Sequence, residues 1–239
     1  VSCGEHDEGA RADRTRSAGR GWALCPRRFA RARQRLPLDP RWLALPDQRG
    51  RRHGALRTPR EPVPLRTLAE RMVTHSSNLA TNLLIAHVGA DSVQATIERL
   101  GTTTMRVLRG VEDIPAYRAG LSNTATAHDL AQLMSALMDG RAVGPEADAA
   151  MVEILLDQRH NEMIPARLPS DTRVAHKTGW ITRIHHDAAI VYPEPDASSQ
   201  APYVLVILTE GIDDYDASAA LGASIAGAVH AAFRPTTPS

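Results

Sequence analysis

The spacing of apolar residues changes once along this chain, and the change limits the possible folds more than any other feature. Between residues 65 and 156, apolar residues recur at helical intervals, as in the stripe Leu65, Leu68, Ala69, Met72 and Val73. Such a stripe covers one face of a helix. After residue 173 the apolar residues instead form short continuous runs, interrupted by a loop full of turn residues. Helices followed by an antiparallel hairpin predict an α+β fold.

The bounds of the predicted elements follow from this pattern and from the glycines that stop helices. Helices are predicted over residues 65–73, 79–87, 93–100, 127–139 and 147–156. The first four end, in this order, at a polar cluster over residues 74–78, at Gly89, at Gly101 and at Gly140. Strands are predicted over residues 174–181, 188–192 and 203–209, before an alanine-rich helix over 217–233. The third strand is continuously apolar, so we expect it to be central and buried on both faces.

Charge divides the chain into two unlike parts. The 239 residues carry 28 Lys+Arg against 27 Asp+Glu, a net charge of +1. Residues 1–60 contain 15 arginines and six acidic residues, a charge of +9, which leaves −8 for the remaining 179 residues. No helical or strand period persists for two turns in the first part. We therefore divide the chain into an Arg/Pro-rich segment, residues 1–62, that is irregular or aberrant, and a folded domain, residues 63–239.

The Arg/Pro-rich segment has three interpretations. It is a basic arm for nucleic acid or anionic lipid, a solvated segment, or the translation of a GC-rich gene in the wrong reading frame. We expect no nucleic-acid partner, because no aromatic residues are interleaved with the charge.

Other classes of protein are excluded by shorter arguments. The longest nearly apolar run, Ala219–Phe233, is short for a membrane span, so none is expected. The two cysteines, Cys3 and Cys25, could form one disulfide at most. No signal peptide is visible at the start of the sequence, and the localisation stays open.

Three short motifs carry the chemistry. Ser76-Ser77-Asn78 lies at the break between two predicted helices, and His176-Lys177-Thr178-Gly179 lies on a predicted strand. Between them, Glu112 lies in a loop, 34 residues after Asn78, and Lys177 lies 99 residues after Asn78. Each motif alone is common, as a helix cap or in turns. Their order, their spacing and the fact that Lys177 is the only lysine favour a functional site.

Together these motifs resemble those of the class A β-lactamases and related penicillin-recognising serine hydrolases, over about residues 63–233. The resemblance is most specific in residues 65–84 and 175–181. It implies a helical cluster packed with an antiparallel sheet and a C-terminal helix, with the N-terminal part of the fold missing or aberrant. It also implies a bacterial antibiotic-resistance enzyme, usually exported, that opens β-lactam amides through an acyl-enzyme and uses no cofactor.

The resemblance assigns three catalytic roles. Ser76 returns a proton to the leaving nitrogen, Lys177 supplies a positive charge beside Ser76 and the substrate carboxylate, and Glu112 orients the hydrolytic water. The family's asparagine four residues after the glutamate is replaced by Ala116. Asp113 is an alternative to Glu112, and a plain solvated loop acid is another.

The resemblance also assigns three substrate-binding residues. Asn78 would bind the side-chain amide of the substrate, Thr178 would bind its carboxylate, and Gly179 would let it lie along the strand edge. Ser77 stands where the family has aspartate, which bears on how the first motif is anchored. The expected partner is a small β-lactam or a peptidoglycan-like peptide, and the expected assembly is a monomer.

The nucleophile motif of the family, Ser-x-x-Lys, is absent. With Lys177 as the only lysine, the motif would need serine at position 174, which is Val174. The nearest positional match is Ser17, which lies 59 residues before Ser76 and three before Arg20. Arginine stays protonated and cannot act as a general base, so an ordinary serine is the better interpretation of Ser17.

Three functions are therefore open: a β-lactamase-type hydrolase, a penicillin-binding or peptidoglycan-peptide-directed homologue, and a catalytically incomplete remnant. No metal site is expected. The neighbours His185, His186 and Asp187 lack the helical His pair or cysteine pair of common zinc sites, which favours a structural role at the start of a strand.

Overall fold

A computed structural model describes residues 35–36, 63–193 and 201–233 of the chain. The elements in chain order are β1 (Arg35–Leu36), β2 (Val63–Pro64), α1 (Leu65–Thr74), α2 (Asn78–Val88), α3 (Ala90–Arg99), α4 (Ile114–Arg118), α5 (Ala127–Met138), α6 (Pro145–Leu156), a 3₁₀ helix (Ile164–Arg167), β3 (Arg173–Ile181), β4 (Ile184–Tyr192), β5 (Tyr203–Glu210) and α7 (Tyr215–Phe233). The predicted α+β fold class is confirmed.

The sheet has the order β3-β4-β5, and both pairs are antiparallel. We expected the strand over residues 203–209 to be central; in the described sheet the central strand is β4 instead. The apolar run in β5 has another cause, since α5 packs on one face of this strand and α7 on the other. Burial on both faces makes a strand continuously apolar even where it has one described neighbour.

Strand β4 begins at Ile184, four residues before the predicted start. The extra residues include His185 and Asp187, both buried. His185 has its Nδ1 2.8 Å from Oγ of Ser218 on α7, and Asp187 bonds to a histidine on β3. Partners on other elements thus satisfy these polar side chains, which is why an apolar pattern could not reveal this end of the strand.

The helical half of the described chain is organised by caps at its turns. Ser77 caps α2 by accepting a hydrogen bond from the Ala80 amide at 3.3 Å. The predicted capping box opens α5, where the Thr126 hydroxyl accepts from the Asp129 amide at 3.1 Å. Gly89 ends α2 with a φ of 82°, in the left-handed region that glycine adopts without strain. α1 and α2 share a small apolar core with Val63, built from Leu68, Ala80 and Leu83.

Each face of the sheet has its own apolar core. One cluster packs the sheet against α7 and the 3₁₀ helix, and includes Met163, Ile164, Val174, Ala189, Val191, Ile207, Ala219 and Ala226. The other packs it against α5 and α6, and includes Met134, Val152, Leu155, Ala175, Ala188 and Ile190. Lys177 pairs with Ala188 in the β3–β4 register, so it lies on this second face, at the junction with the helical half.

Most of the Arg/Pro-rich segment, including Ser17, lies outside the described residues. The exception is the short pairing of β1 with β2, antiparallel, which joins Arg35–Leu36 to the start of the helical half. Within the described ranges, none of the helices has the length and apolar character needed to cross a bilayer.

Candidate active site

The turn between α1 and α2 presents Ser76. The amides of His75 and Ser77 both donate to the carbonyl of Arg71, at 3.3 and 3.2 Å, so the chain turns back over the end of α1. Between them Ser76 has a φ of 51°, in the left-handed region. This conformation costs a non-glycine residue about 1–3 kcal/mol and is often kept at functional sites. The predicted break between the two helices is confirmed, and Ser76 lies at its centre.

Lys177 reaches this turn from β3. Its Nζ donates to the Ser76 hydroxyl at 2.5 Å and also to the carbonyl of Thr178. The contact with Ser76 joins two motifs that lie 101 residues apart in the sequence. Burial lowers the pKa of Lys177 from 10.5 to about 8, against the opposing effect of the Asp187 carboxylate, which raises it. A sizeable fraction of this amine is therefore neutral in mildly alkaline solution.

A buried histidine–aspartate pair lies beside Lys177. Nδ1 of His176 lies 2.9 and 3.2 Å from the two carboxylate oxygens of Asp187, and both residues are almost fully buried. Nε2 of His176 lies 2.9 Å from Oδ1 of Asn161. The Asp187 carboxylate also accepts from the amide of Ile164, the first residue of the 3₁₀ helix, at 3.1 Å. The pair thus fixes β3 to β4 and to the chain that precedes the 3₁₀ helix.

The connecting loop, residues 157–163, links this pair to the Ser76 turn. Gln158 donates from Nε2 to the Val73 carbonyl at 2.8 Å, and the Arg159 amide donates to the Thr74 carbonyl at 3.3 Å. The Gln158 carbonyl oxygen also accepts from the amides of Arg159 and His160. One end of the loop therefore holds the last turn of α1, and the other end, at Asn161, holds the strand that bears Lys177.

The sequence analysis did not identify the roles of Gln158, Asn161 and His176. Gln158 and Asn161 lie in a loop with no periodic pattern, and their partners are distant in the sequence. His176 had one usable signal, since it is a polar residue inside the buried part of a strand pattern and directly precedes Lys177.

The predicted substrate-binding residues flank the Ser76–Lys177 contact. Asn78 is buried at the first position of α2, and its Nδ2 has no hydrogen-bond partner within the described residues. Thr178 is half-buried next to Lys177. Gly179 is exposed, and nothing in the described structure lies within 4 Å of the place where a Cβ would be. The strand edge beyond Lys177 is thus open for a bound molecule.

Glu112 lies in a loop that is anchored to α2. Asn82 donates from Nδ2 to the Val111 carbonyl at 2.9 Å, and its Oδ1 accepts from the Val111 amide at 2.7 Å. A Cβ on Gly110 would lie 2.6 Å from this same Oδ1, so the loop approaches α2 as closely as glycine allows. The carbonyl of Glu112 accepts from the Ile114 amide at 2.9 Å, but its carboxylate makes no hydrogen bond or ion pair with any described residue. Its side chain is exposed, and its φ is 60°.

The alternative loop acid, Asp113, has a structural role. Its carboxylate accepts from the amide of Ala116 at 3.0 Å and caps the short helix α4. Of the two neighbouring acids, Glu112 is therefore the one whose carboxylate is not used by the loop itself.

The described part of the chain contains no group of three or more His, Cys, Asp and Glu side chains that could hold a metal ion.

Comparison with known proteins places the chain in a family. Residues 32–233 match the sequence profile of a family described as the beta-lactamase enzyme family. This match begins 31 residues before the resemblance noted from the motifs. Among solved structures, a β-lactamase from Sphaerobacter thermophilus is 26% identical with a TM-score of 0.71, over 84% of this chain and 74% of that one.

Two further structures are similar. A variant of the class A β-lactamase of the last common ancestor of Gram-negative bacteria is 26% identical with a TM-score of 0.70, over 85% of this chain and 75% of that one. A variant of PBP-A, as an acyl-enzyme complex with penicillin G, shares the fold at 24% identity and a TM-score of 0.72, over 85% of this chain and 72% of that one. The chain belongs to the beta-lactamase enzyme family and has the serine β-lactamase-like fold.

Proposed function

We propose that this protein is a serine β-lactamase-type hydrolase that opens β-lactam amides through an acyl-enzyme. The observation that carries the proposal is the 2.5 Å hydrogen bond between Ser76 and Lys177, which unites the two family motifs at the edge of an open strand. Amide opening needs a group that delivers a proton to the leaving nitrogen. A hydroxyl bonded to a lysine with a pKa of about 8 is able to deliver that proton and to recover it.

Substrate binding is assigned to the residues around this contact. The Asn78 amide, buried and without a described partner for Nδ2, would donate to the carbonyl of the substrate's side chain. The Thr178 hydroxyl and the Lys177 charge would bind the substrate carboxylate. Gly179 would let the substrate lie against β3 as an additional strand, because there is no side chain in the way.

Deacylation is assigned to Glu112. Its support is the anchoring of the Glu112 loop by Asn82, on the helix that begins two residues after Ser76. The carboxylate would act as the base that orients and activates water. Ala116, at the position where the family has a second water ligand, favours a slow deacylation step.

A penicillin-binding homologue is the second candidate function. The observation that favours it is Ala116, since a poorly held water would leave the acyl-enzyme long-lived. The similarity to the PBP-A variant, which was solved as an acyl-enzyme with penicillin G, agrees with this candidate. The third candidate, an incomplete remnant, rests on the missing Ser-x-x-Lys motif.

Two measurements on the purified full chain separate the candidates. Turnover of a chromogenic cephalosporin supports the hydrolase, a stable penicillin adduct in intact-mass spectra without turnover supports the penicillin-binding homologue, and neither signal supports the remnant. Expression in a susceptible bacterium should raise β-lactam resistance only in the first case. Size-exclusion chromatography checks the expected monomer.

Replacing Lys177 with alanine should abolish β-lactam turnover, with a loss of at least ~100-fold, the usual minimum for removing an acid–base group. Arg183→Ala is the control, because Arg183 lies in the β3–β4 turn and pairs with the exposed Asp213. We expect that variant to keep normal turnover. Unchanged turnover in Lys177→Ala would contradict the active-site assignment.

A further inference from the structure

Strand β4 begins with three titratable residues in a row, His185, His186 and Asp187, and two of them have structural partners. Nδ1 of His185 lies 2.8 Å from Oγ of Ser218 on α7, and Asp187 bonds to a histidine on β3. His186 differs from both. Its Nδ1 is buried without a hydrogen-bond partner among the described residues, while the side chain as a whole is only half-buried. A buried polar atom without a partner is costly, so His186 calls for a functional explanation.

The register of the sheet places His186 on the face that bears Lys177. Successive side chains of a strand point to opposite faces, so His186 shares its face of β4 with Ala188 and Ile190. Ala188 is the partner of Lys177 in the β3–β4 pairing, and His186 is the partner of Gly179. His186 is therefore the diagonal neighbour of Lys177, at about 7–8 Å between Cα atoms.

The surface of the sheet beside His186 is open to a bound molecule. Its partner Gly179 has no side chain, and nothing in the described structure lies within 4 Å of the place where a Cβ would be. A molecule that lies along this part of β3 is thus next to two cationic or potentially cationic groups, Lys177 on one strand and His186 on the other. Such a pair of groups favours an anionic ligand.

We propose that His186 is a second anion-binding group of the substrate site, and that its protonation makes the affinity for carboxylate-bearing substrates depend on pH. The proposal rests on the proposed function, in which Lys177 and Thr178 bind the substrate carboxylate. It adds a regulation of that same site, because histidine is the one side chain whose ordinary charge change lies close to physiological pH.

The surroundings of His186 keep its ring neutral in the free protein. Burial lowers the pKa of His186 below its usual 6.5, against the opposing effects of the preceding carbonyl and of the Glu210 carboxylate. The nearest charged side chains on the same face of the neighbouring strands are Lys177 on β3 and Glu210 on β5. The helices packed on this face, α5 and α6, contribute apolar residues to its core, and the turn between α1 and α2 carries His75.

Binding of an anion reverses this balance. A negative charge beside an imidazole favours the protonated ring and raises its pKa. The affinity for a carboxylate should therefore rise as the pH falls from the pKa of His186 in the complex to its lower pKa in the free protein. Below that interval the ring is charged in both states, and no further gain occurs. Above pH 8, Lys177 loses its own proton, so the affinity falls there in a second step.

The first test follows the titration of His186 itself. The full chain is labelled with ¹³C-histidine, and the His186 signal is assigned by its loss in His186→Gln. We expect the pKa of His186 to rise when phenylacetate, a carboxylate without a lactam ring, or penicillin is added. Phenylacetamide, which has no charge, should leave it unchanged, as should sodium chloride at the same ionic strength. An unchanged pKa of His186 with both carboxylates would overturn the proposal.

The second test compares the pH dependence of binding in variants. The dissociation constant of phenylacetate, and the KM of penicillin where it is turned over, are measured from pH 5 to 9. In His186→Arg, which stays charged, we expect binding above pH 7 to be at least ~10-fold tighter than in the native chain and to lose the step at lower pH. In His186→Gln the binding should be weak throughout, without that step.

The control for these variants is His128→Gln. His128 is exposed on α5, where its Nε2 lies 3.1 Å from Nε2 of Gln132, and its replacement should leave the native pH profile intact. A native step at lower pH in His186→Gln would overturn the proposal. Because substitutions of His186 could disturb the sheet, their circular dichroism is compared with that of the native chain. The titration of His186 in the native chain needs no substitution.

The two carboxylates distinguish failure of this inference from failure of the proposed function. Penicillin turnover or a penicillin adduct without any pH step that depends on His186 keeps the hydrolase and overturns this inference. A pH-dependent phenylacetate site at His186 without penicillin turnover or adduct keeps the anion site and removes the β-lactam substrate. Absence of both signals overturns both.

Discussion

Lys177 combines two properties that are seldom found in one residue. It is the only lysine of the chain, and its amine is buried between the two halves of the site. A chain grown with isotope-labelled lysine therefore gives a single side-chain signal, assigned without any mutation. The protonation state of the candidate active site is directly measurable in the intact protein.

The titration of that signal is the first prediction. We expect the Lys177 pKa to be near 8, because burial disfavours its charged form. Asp187→Asn should lower this pKa further, since it removes the carboxylate that stabilises the ammonium group. Nuclear magnetic resonance from pH 6 to 11 gives both values. Asp148→Asn is the control, as Asp148 is equally buried but accepts from the Ala142 and Val143 amides. A titration near 10.5 would contradict the buried environment.

The close approach of the Glu112 loop to α2 depends on Gly110, which has no side chain. Gly110→Ala would put a methyl group against Oδ1 of Asn82 and push the loop away from α2. We expect faster hydrogen exchange at the Val111 amide, which donates to Asn82, and a longer-lived acyl-enzyme. Exchange measured by mass spectrometry, and penicillin adduct decay, check the two effects.

The control for this substitution is Gly227→Ala on α7. A Cβ there would meet Arg167 at an ordinary contact distance of 3.6 Å, and no effect on the Glu112 loop is expected. If Gly110→Ala left exchange at Val111 unchanged, the anchoring by Asn82 would not hold the loop.

At the scale of elements, the connecting loop explains how the Ser76 turn and strand β3 are held next to each other. It holds α1 through Gln158 and β3 through Asn161, and neither contact is made by Ser76 or Lys177 themselves. Ser76 and Lys177 are thus brought together by their supporting elements, as precise functional geometry requires.

Gln158→Leu tests this connection. The substitution leaves the Val73 carbonyl and two loop amides without their partner, which costs about 1–3 kcal/mol in the free energy of unfolding. It should also shift the Lys177 signal, because the Ser76 turn would lose its support. Denaturant unfolding and the labelled-lysine spectrum measure the two effects.

Gln94→Leu is the matched control. Gln94 also bridges a loop, donating to the Met105 carbonyl and accepting from the Val107 amide, but the elements it joins do not bear the site. We expect a similar loss of stability with no change at Lys177. Equal spectral changes in both variants would show that the connecting loop has no special part in positioning.

Sequence analysis predicted those helices and strands that are specified by residues within or next to the element itself. α2 was expected over residues 79–87 and spans Asn78–Val88, because its apolar residues and Gly89 define both ends. α4 was missed, since its five residues complete less than two turns and show no period. In the same way, the motifs indicated Ser76 and Lys177, while His176 and Asn161 depend on partners brought close by folding alone.

At the scale of the whole molecule, the feature to be explained is the division of charge between residues 1–60, with +9, and the remaining residues, with −8. Because the family match begins at residue 32, the wrong-frame interpretation now concerns residues 1–31, and it is tested by translating their coding DNA in the other two frames. A Ser-x-x-Lys followed by an apolar helix in either frame would establish it. Stops or unpatterned text in both frames would leave a basic arm as the interpretation.

Acid unfolding of the molecule should depend on Asp129. Hydrogen bonds from the Thr104 hydroxyl, the Thr103 amide and the Thr126 hydroxyl lower the pKa of Asp129 from 3.8 to about 2. Because the folded pKa is depressed, its stabilising contribution is present above pH 3.8 and is lost as the pH falls towards 2. We expect Tm to fall less steeply between these pH values in Asp129→Asn.

The comparison variant for acid unfolding is Asp213→Asn, which changes an exposed aspartate. Its Tm should follow that of the native chain at every pH. A native-like slope in Asp129→Asn would mean that other carboxylates govern acid unfolding. Differential scanning calorimetry from pH 5 to 2 gives these curves.

The distance along the chain between Ser76 and Lys177 also sets an order of events in folding. The β3–β4 hairpin closes between Ile181 and Ile184, whereas the bond from Lys177 to Ser76 closes a loop of 101 residues. Long loops form late because their closure costs more entropy and must wait for other contacts. The sheet should therefore gain exchange protection while the lysine still titrates as in an unfolded chain. The contact between Ser76 and Lys177 should therefore be among the last to form in a nearly folded molecule.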